Sequence, residues 1–258
     1  MYKVKELEGY LIDLLSADES VTGVFISGSL ATGTFDNYSD VDIRFVIDRV
    51  SITEAIAECR NKILNSDRKV LFFEPCWFSN AIIVHFDNFI KADIFFYTPQ
   101  ILIPSPWLKD IKIIKDNKGF LGKIKTESQK LNFEISEDEI NKAVDKFLAQ
   151  SHECYRRIMR SEYLYADELL SSMKLIIINF CDYLFCRPPI GWYKAEKRFS
   201  EDQILILKQH ILDEADAVNK LRVINDEFLV IEDKLCRVKS ISRDIEKDKY
   251  ALEYMFKY

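Results

Sequence analysis

From Gly28 to Asp42 the chain reads GSLATGTFDNYSDVD, a stretch that few folds can accommodate. It is entered from an apolar, strand-like run, Val21 to Ser27, and left through another, Ile43 to Ile47. Side chains alternate faces along a strand, so Asp40 and Asp42 are predicted to point one way while Val41 points into the core. Two carboxylates held that close repel each other unless a cation lies between them, and hard oxygen ligands select Mg²⁺ or Mn²⁺. Gly28 and Ser29 complement the acids. Glycine lets the backbone approach a ligand closely, and a turn or helix start beyond it offers free N–H groups to phosphate. A phosphate clamp on one strand end beside metal carboxylates on its neighbour suits a nucleoside triphosphate chelated to divalent metal.

A Gly-Ser pair followed after about ten residues by Asp-x-Asp, with apolar runs on both sides, resembles the signature of the polymerase-beta-like nucleotidyltransferase superfamily. The resemblance covers about the first hundred residues. A bare Asp-x-Asp is weak evidence, because many strands begin with paired surface acids; strand, Gly-Ser, spacing, Asp-x-Asp and strand together are far more specific. The superfamily pairs its Asp-x-Asp with a third acid on a nearby strand, and the position that matches in type and context is Asp93. There, in KADIFFY, one carboxylate interrupts an apolar strand, and a buried carboxylate must be paired or ligate metal. The resemblance gives Asp93 one of two roles, metal ligand or the base that takes the acceptor hydroxyl's proton. An ion pair with Lys91 or Arg44 is the plainer alternative. Glu74 is a rival acid, but Pro75 puts it at a strand end, where an exposed acid needs no explanation.

Charge narrows the substrate. Lys and Arg number 36 against 42 Asp and Glu, a net charge of -6, so no global basic field tracks a nucleic-acid backbone. No apolar run approaches the roughly 20 residues of a membrane helix, and no leader pattern opens the sequence, so a cytoplasmic protein without membrane or nucleic-acid partners is expected. The cysteines, at 59, 76, 154, 181, 186 and 236, have no C-x-x-C spacing, and with only three histidines they read as buried or incidental thiols.

Periodicity predicts a helix over Tyr2 to Leu15 and another from the cap Ser51 to about Asn65. Strands are expected over Lys69 to Glu74, Ala81 to Phe86 and Phe89 to Tyr97, with a turn at Asp87-Asn88. Pro99, Pro104 and Pro106 mark a linker, after which Ile111 to Ile114 suggests a short strand and Asp116 to Gly119 a turn. Ser136 with Glu139 opens a helical half. Further helices are expected over Tyr163 to Phe185, Glu201 to Ala217 and Asp244 to Phe256. The fold class is α+β: a small mixed β-sheet nucleotidyltransferase domain over 1–105, then a mainly helical acceptor-binding domain over 106–258.

That layout resembles the antibiotic nucleotidyltransferases, which modify aminoglycosides or lincosamides, and it implies Mg²⁺-dependent transfer of a nucleoside monophosphate, AMP from ATP, to a hydroxyl of a small acceptor. Gly28 and Ser29 hold the triphosphate; Asp40, Asp42 and Asp93 hold metal or carry the chemistry. In the helical half Arg160, Glu162, Lys194, Lys197 and Arg198 are charges that could reach substrate, and Lys194, Lys197 and Arg198 are taken as substrate or phosphate contacts. Tyr163, Tyr165, Trp192 and Tyr193 could stack on sugar faces or cations. An acidic chain favours an amine-rich, aminoglycoside-like acceptor over a lincosamide. Two other classes compete. A protein-modifying or antitoxin-type transferase would want little beyond the catalytic domain, and a non-catalytic nucleotide-binding regulator would not need all three acids.

Overall fold

The computed structural model describes residues 3–48 and 51–257, and over them the chain forms two compact units, Met1–Leu131 and Asn132–Tyr258. Among the described residues there are six strands and ten α-helices, a mixed α+β architecture. None of the helices is long and apolar enough to cross a membrane.

In the first unit, α1 (Lys3–Ser16) is amphipathic and buries Val4, Leu7, Leu11 and Leu15; Tyr2, where the sequence starts this helix, lies outside the described residues. β1 (Val21–Ile26) leads directly into the single-turn α2 (Gly28–Thr32), and β2 (Val41–Ile47) begins at the residue after Asp40. α3 (Ile52–Leu64) starts at Ser51, whose side chain accepts from the Glu54 backbone N–H. The strands β3 (Val70–Glu74), β4 (Ala81–Phe86) and β5 (Lys91–Tyr97) follow. The turn between β4 and β5 runs to Ile90, with Phe89 at φ 65°, so β5 starts two residues later than the apolar run suggests.

The sheet order is β3-β4-β5-β2-β1-β6, where β6 is Lys112–Asp116. Only β2 and β5 pair in parallel, and their register sets Asp42 opposite Asp93; β1 and β2 are antiparallel, as are β1 and β6. Alternation then sorts the side chains. Val41, Ile43, Phe45 and Ile47 of β2, with Ala92, Ile94 and Phe96 of β5, join α1 and α3 in one core. On the opposite face Phe25 and Val46 pack with Leu102, Leu108 and with Leu121 and Ile124 of α4 (Phe120–Lys130). Gly23 permits this contact, since a Cβ there would come 2.9 Å from the Leu121 side chain.

The second unit is helical. α5 (Glu137–Met159) opens with a complete capping box between Ser136 and Glu139. α6 (Tyr163–Leu184), α7 (Ala195–Arg198), α8 (Glu201–Leu207), α9 (Ala217–Lys239) and α10 (Ile245–Tyr254) complete it. Phe147 and Phe228 stack in its core, with Phe180 tilted against Phe228.

Three elements differ from the sequence reading. The first unit continues past the proline stretch, because β6 pairs with β1 and α4 covers the sheet, so the division falls after Leu131 and not near 105. The helix predicted over Glu201 to Ala217 stops at Leu207. The 23-residue α9 fills most of the stretch between the helices expected over Glu201 to Ala217 and Asp244 to Phe256, where the sequence reading names no element. All six cysteines are free; Cys59, Cys154, Cys181 and Cys236 are buried, and Cys186 is exposed.

Candidate active site

The site is built where β1 ends and β2 and β5 begin. Leaving β1, the chain turns at Gly28 with φ 62°, a left-handed conformation that glycine adopts without a steric penalty. The absent side chain matters as much as the angle. A Cβ on Gly28 would lie 2.5 Å from Asp42 Oδ2, so the carboxylate fills the space a side chain would take. The backbones are joined as well, with Ser27 N–H donating to the Asp42 carbonyl at 3.2 Å. Ser29 is buried in the first turn of α2.

Asp42 and Asp93 are register partners on adjacent parallel strands, which lie about 4.8 Å apart, and both leave the sheet on the face opposite α1 and α3. Asp40, just before β2, reaches the same place. The Lys91 ammonium sits 3.2 Å from Asp40 Oδ2 and 3.0 Å from Asp93 Oδ2, so it bridges the two acids. Arg44, two residues beyond Asp42 and on the same face, holds its guanidinium 4.0 Å from Asp42 Oδ1, donates a hydrogen bond to Ser27 Oγ, and lies over the Phe95 ring at 4.9 Å. Of the two cations the sequence offers as partners for Asp93, Lys91 takes that role and Arg44 turns to Asp42. Alternation alone places Arg44 and Phe95 beside the acids, and that signal was available in the sequence.

Burial pushes the Asp42 carboxyl above the usual carboxylate range; Arg44 works against it, while the charges of Asp93 and Asp40 add to it. For Lys91, burial would lower the pKa, but hydrogen bonds and charge from Asp93 and Asp40 outweigh it and the net shift is upward. The charges of Asp93 and Asp40 thus make Asp42 harder to ionise.

Whether these residues suit a divalent cation can be judged from their atoms. The donor set is all carboxylate, which hard cations prefer. Asp93 Oδ1 is buried and has no hydrogen-bond partner, a costly state for an anionic oxygen unless another ligand takes it. Against this, no group of three His, Cys, Asp or Glu residues among the described residues is gathered closely enough to hold a metal as it stands. The Lys91 ammonium lies against two of the three acids, Asp40 and Asp93. The donor chemistry fits a metal.

Glu74, the rival acid, pairs with His85 at 3.0 Å at the end of β3. Lys194, Lys197 and Arg198 are in the second unit. Arg198 is committed there: its Nη1 donates to both oxygens of the buried Asp182 at 2.6 Å, and its Nη2 to the Gly191 carbonyl. Lys194 covers the Tyr193 ring at 5.0 Å, and Lys197 is exposed on α7. Arg157 bridges Glu162 and the Tyr165 ring.

Residues 4–100 match the family model described as "Nucleotidyltransferase domain". The chain therefore carries a nucleotidyltransferase domain, and its β1-α2-β2 turn and its three acids all fall inside the matched span. No curated protein matches the sequence. Among solved structures, the chain is similar to an aminoglycoside 6-adenyltransferase from Bacillus subtilis, with 12% identity, 97% of each chain covered and a TM-score of 0.47. It is also similar to a nucleotidyltransferase-like protein from Exiguobacterium sibiricum 255-15, with 11% identity, 98% of this chain and 78% of that one covered, and a TM-score of 0.40. Likeness at this level carries nothing about activity.

Proposed function

We propose that the protein transfers a nucleoside monophosphate, AMP from ATP, to a hydroxyl of a small acceptor in a Mg²⁺- or Mn²⁺-dependent reaction. The observation that carries this reading is the side-by-side register of Asp42 and Asp93, with Asp40 beside them and Gly28 packed against Asp42. Asp40, Asp42 and Asp93 would hold the metal. When bound, it would neutralise charge on the reacting phosphate and its pyrophosphate leaving group.

The chain's own groups do the rest. Gly28 and Ser29 bring backbone N–H groups to the triphosphate with no side chain in the way at Gly28. Arg44, fixed by Ser27 and Phe95, supplies a positive charge beside Asp42. Asp93 would either ligate metal or accept the acceptor hydroxyl's proton, and its buried, unpartnered Oδ1 supports either role.

The acceptor is read from charge. An acidic chain with several carboxylates at its site focuses cations, which favours a hydroxylated polyamine of the aminoglycoside kind. The test is to incubate the purified protein with Mg²⁺ and each labelled nucleoside triphosphate across a panel of aminoglycosides, lincosamides and candidate proteins. Expected are pyrophosphate release and a polyamine product heavier by one nucleoside monophosphate, with an acceptor KM that rises with salt. Labelled protein, or binding without turnover, would replace this reading. Turnover only with a lincosamide, or a KM indifferent to salt, would replace the acceptor alone.

A further inference from the structure

Resting on that reading, we infer that Lys91 is a built-in stand-in for metal: its ammonium balances the acids while the site is empty and must leave when a divalent cation enters. Three observations converge. Lys91 Nζ bridges Asp40 and Asp93, at 3.2 and 3.0 Å, and both are proposed metal ligands, one just before β2 and one on β5. Asp93 uses only Oδ2 for this bridge and leaves Oδ1 buried without a partner, so the single ammonium satisfies part of what the site can ligate. Among the described residues no three His, Cys, Asp or Glu side chains are gathered closely enough to hold a metal.

The electrostatics favour competition over coexistence. Three carboxylates face one another with Lys91 and Arg44 as counter-charges, and Arg44 is held away from Asp93 by Ser27 and Phe95. A divalent cation drawn to Asp40 and Asp93 would meet the like charge of the Lys91 ammonium between them, and like charges at such close range repel strongly. Ammonium and metal therefore exclude each other. Lys91 is a positioning residue in this account: it balances the acids while the site is empty and sets how readily metal loads.

Direct Mn²⁺ binding without nucleotide, followed by the electron paramagnetic resonance signal of free Mn²⁺, tests this on the full-length wild type, Lys91→Met, Lys91→Arg and Asp93→Asn. Lys91→Met should bind Mn²⁺ about tenfold or more tightly than wild type. Lys91→Arg, which keeps the charge, should stay near wild type, and Asp93→Asn should lose binding. Equal affinity in wild type and Lys91→Met, or weaker binding in Lys91→Met, overturns the stand-in role and leaves the metal site intact. Absence of binding in every protein, Lys91→Met included, overturns the metal-site reading itself. If Lys91→Met fails to fold in metal-free buffer, recovery on refolding with Mn²⁺ supports the exchange of ammonium for metal, and failure to recover refutes it.

Discussion

Gly28 and Asp42 interlock, with the Asp42 carboxylate in the space that a side chain at Gly28 would take. Gly28→Ala would have to hold an L side chain at φ 62° and would place its Cβ 2.5 Å from Asp42 Oδ2. The left-handed backbone alone costs roughly 1–2 kcal/mol, and the Asp42 carboxylate must also move. A lowered melting temperature, together with loss of Mn²⁺ binding, is the expected outcome in thermal unfolding and metal titration. Asp42→Asn should behave in the opposite way in stability. The folded protein raises the Asp42 pKa, so the stability this group contributes is complete below its unfolded pKa and is lost as pH rises through the folded value. At pH 7 the ionised form is a burden that asparagine removes. Asp42→Asn should then melt at or slightly above wild type while nucleotidyl transfer disappears; near-normal transfer in this variant would end the proposed function.

At the scale of elements, legibility in the sequence follows the distance over which each signal acts. The caps at Ser51 and Ser136 are local hydrogen bonds to a residue three positions on, and they are where the sequence places them. Asp42 and Asp93 were recognisable as partners in type, yet their exact opposition depends on a parallel pairing across 50 intervening positions, and the Lys91 bridge depends on that pairing too. α4 was unreadable because its burial requires Gly23 and Val46 on distant strands. α9 is a different case: Leu221, Ile224, Phe228, Ile231 and Leu235 recur at helical spacing, and the pattern was present among the charges. That helix also carries Glu232, which is fully buried beside Asp248 of α10 and 3.6 Å from Arg243. Burial first, and then the charge of Asp248, pushes its carboxyl up to about 8. The raised value fixes the sign: the stabilising share is whole below the unfolded pKa near 4.5 and is lost as pH rises through about 8. Denaturant unfolding followed from pH 5 to 9 should show stability of the helical unit falling over that range, with the fall largely abolished in Glu232→Gln.

On the scale of the whole molecule, the nucleotidyltransferase match ends at residue 100, but the first compact unit does not. β6 supplies the outer neighbour of β1, and α4 with Leu102 and Leu108 covers Phe25 and Val46. During synthesis β1 is therefore complete long before its partner exists, since residues 112–116 leave the ribosome some ninety residues later. For that interval one edge of the sheet and the apolar face around Phe25 have no cover of their own, and such edges recruit other chains. A fragment cut at residue 105 would make the interval permanent. It should form soluble oligomers or precipitate in size-exclusion chromatography, whereas a fragment ending at Leu131 should elute as a single folded species. The last quarter of this unit is in that sense its own chaperone, arriving late to close a sheet that already holds the acids.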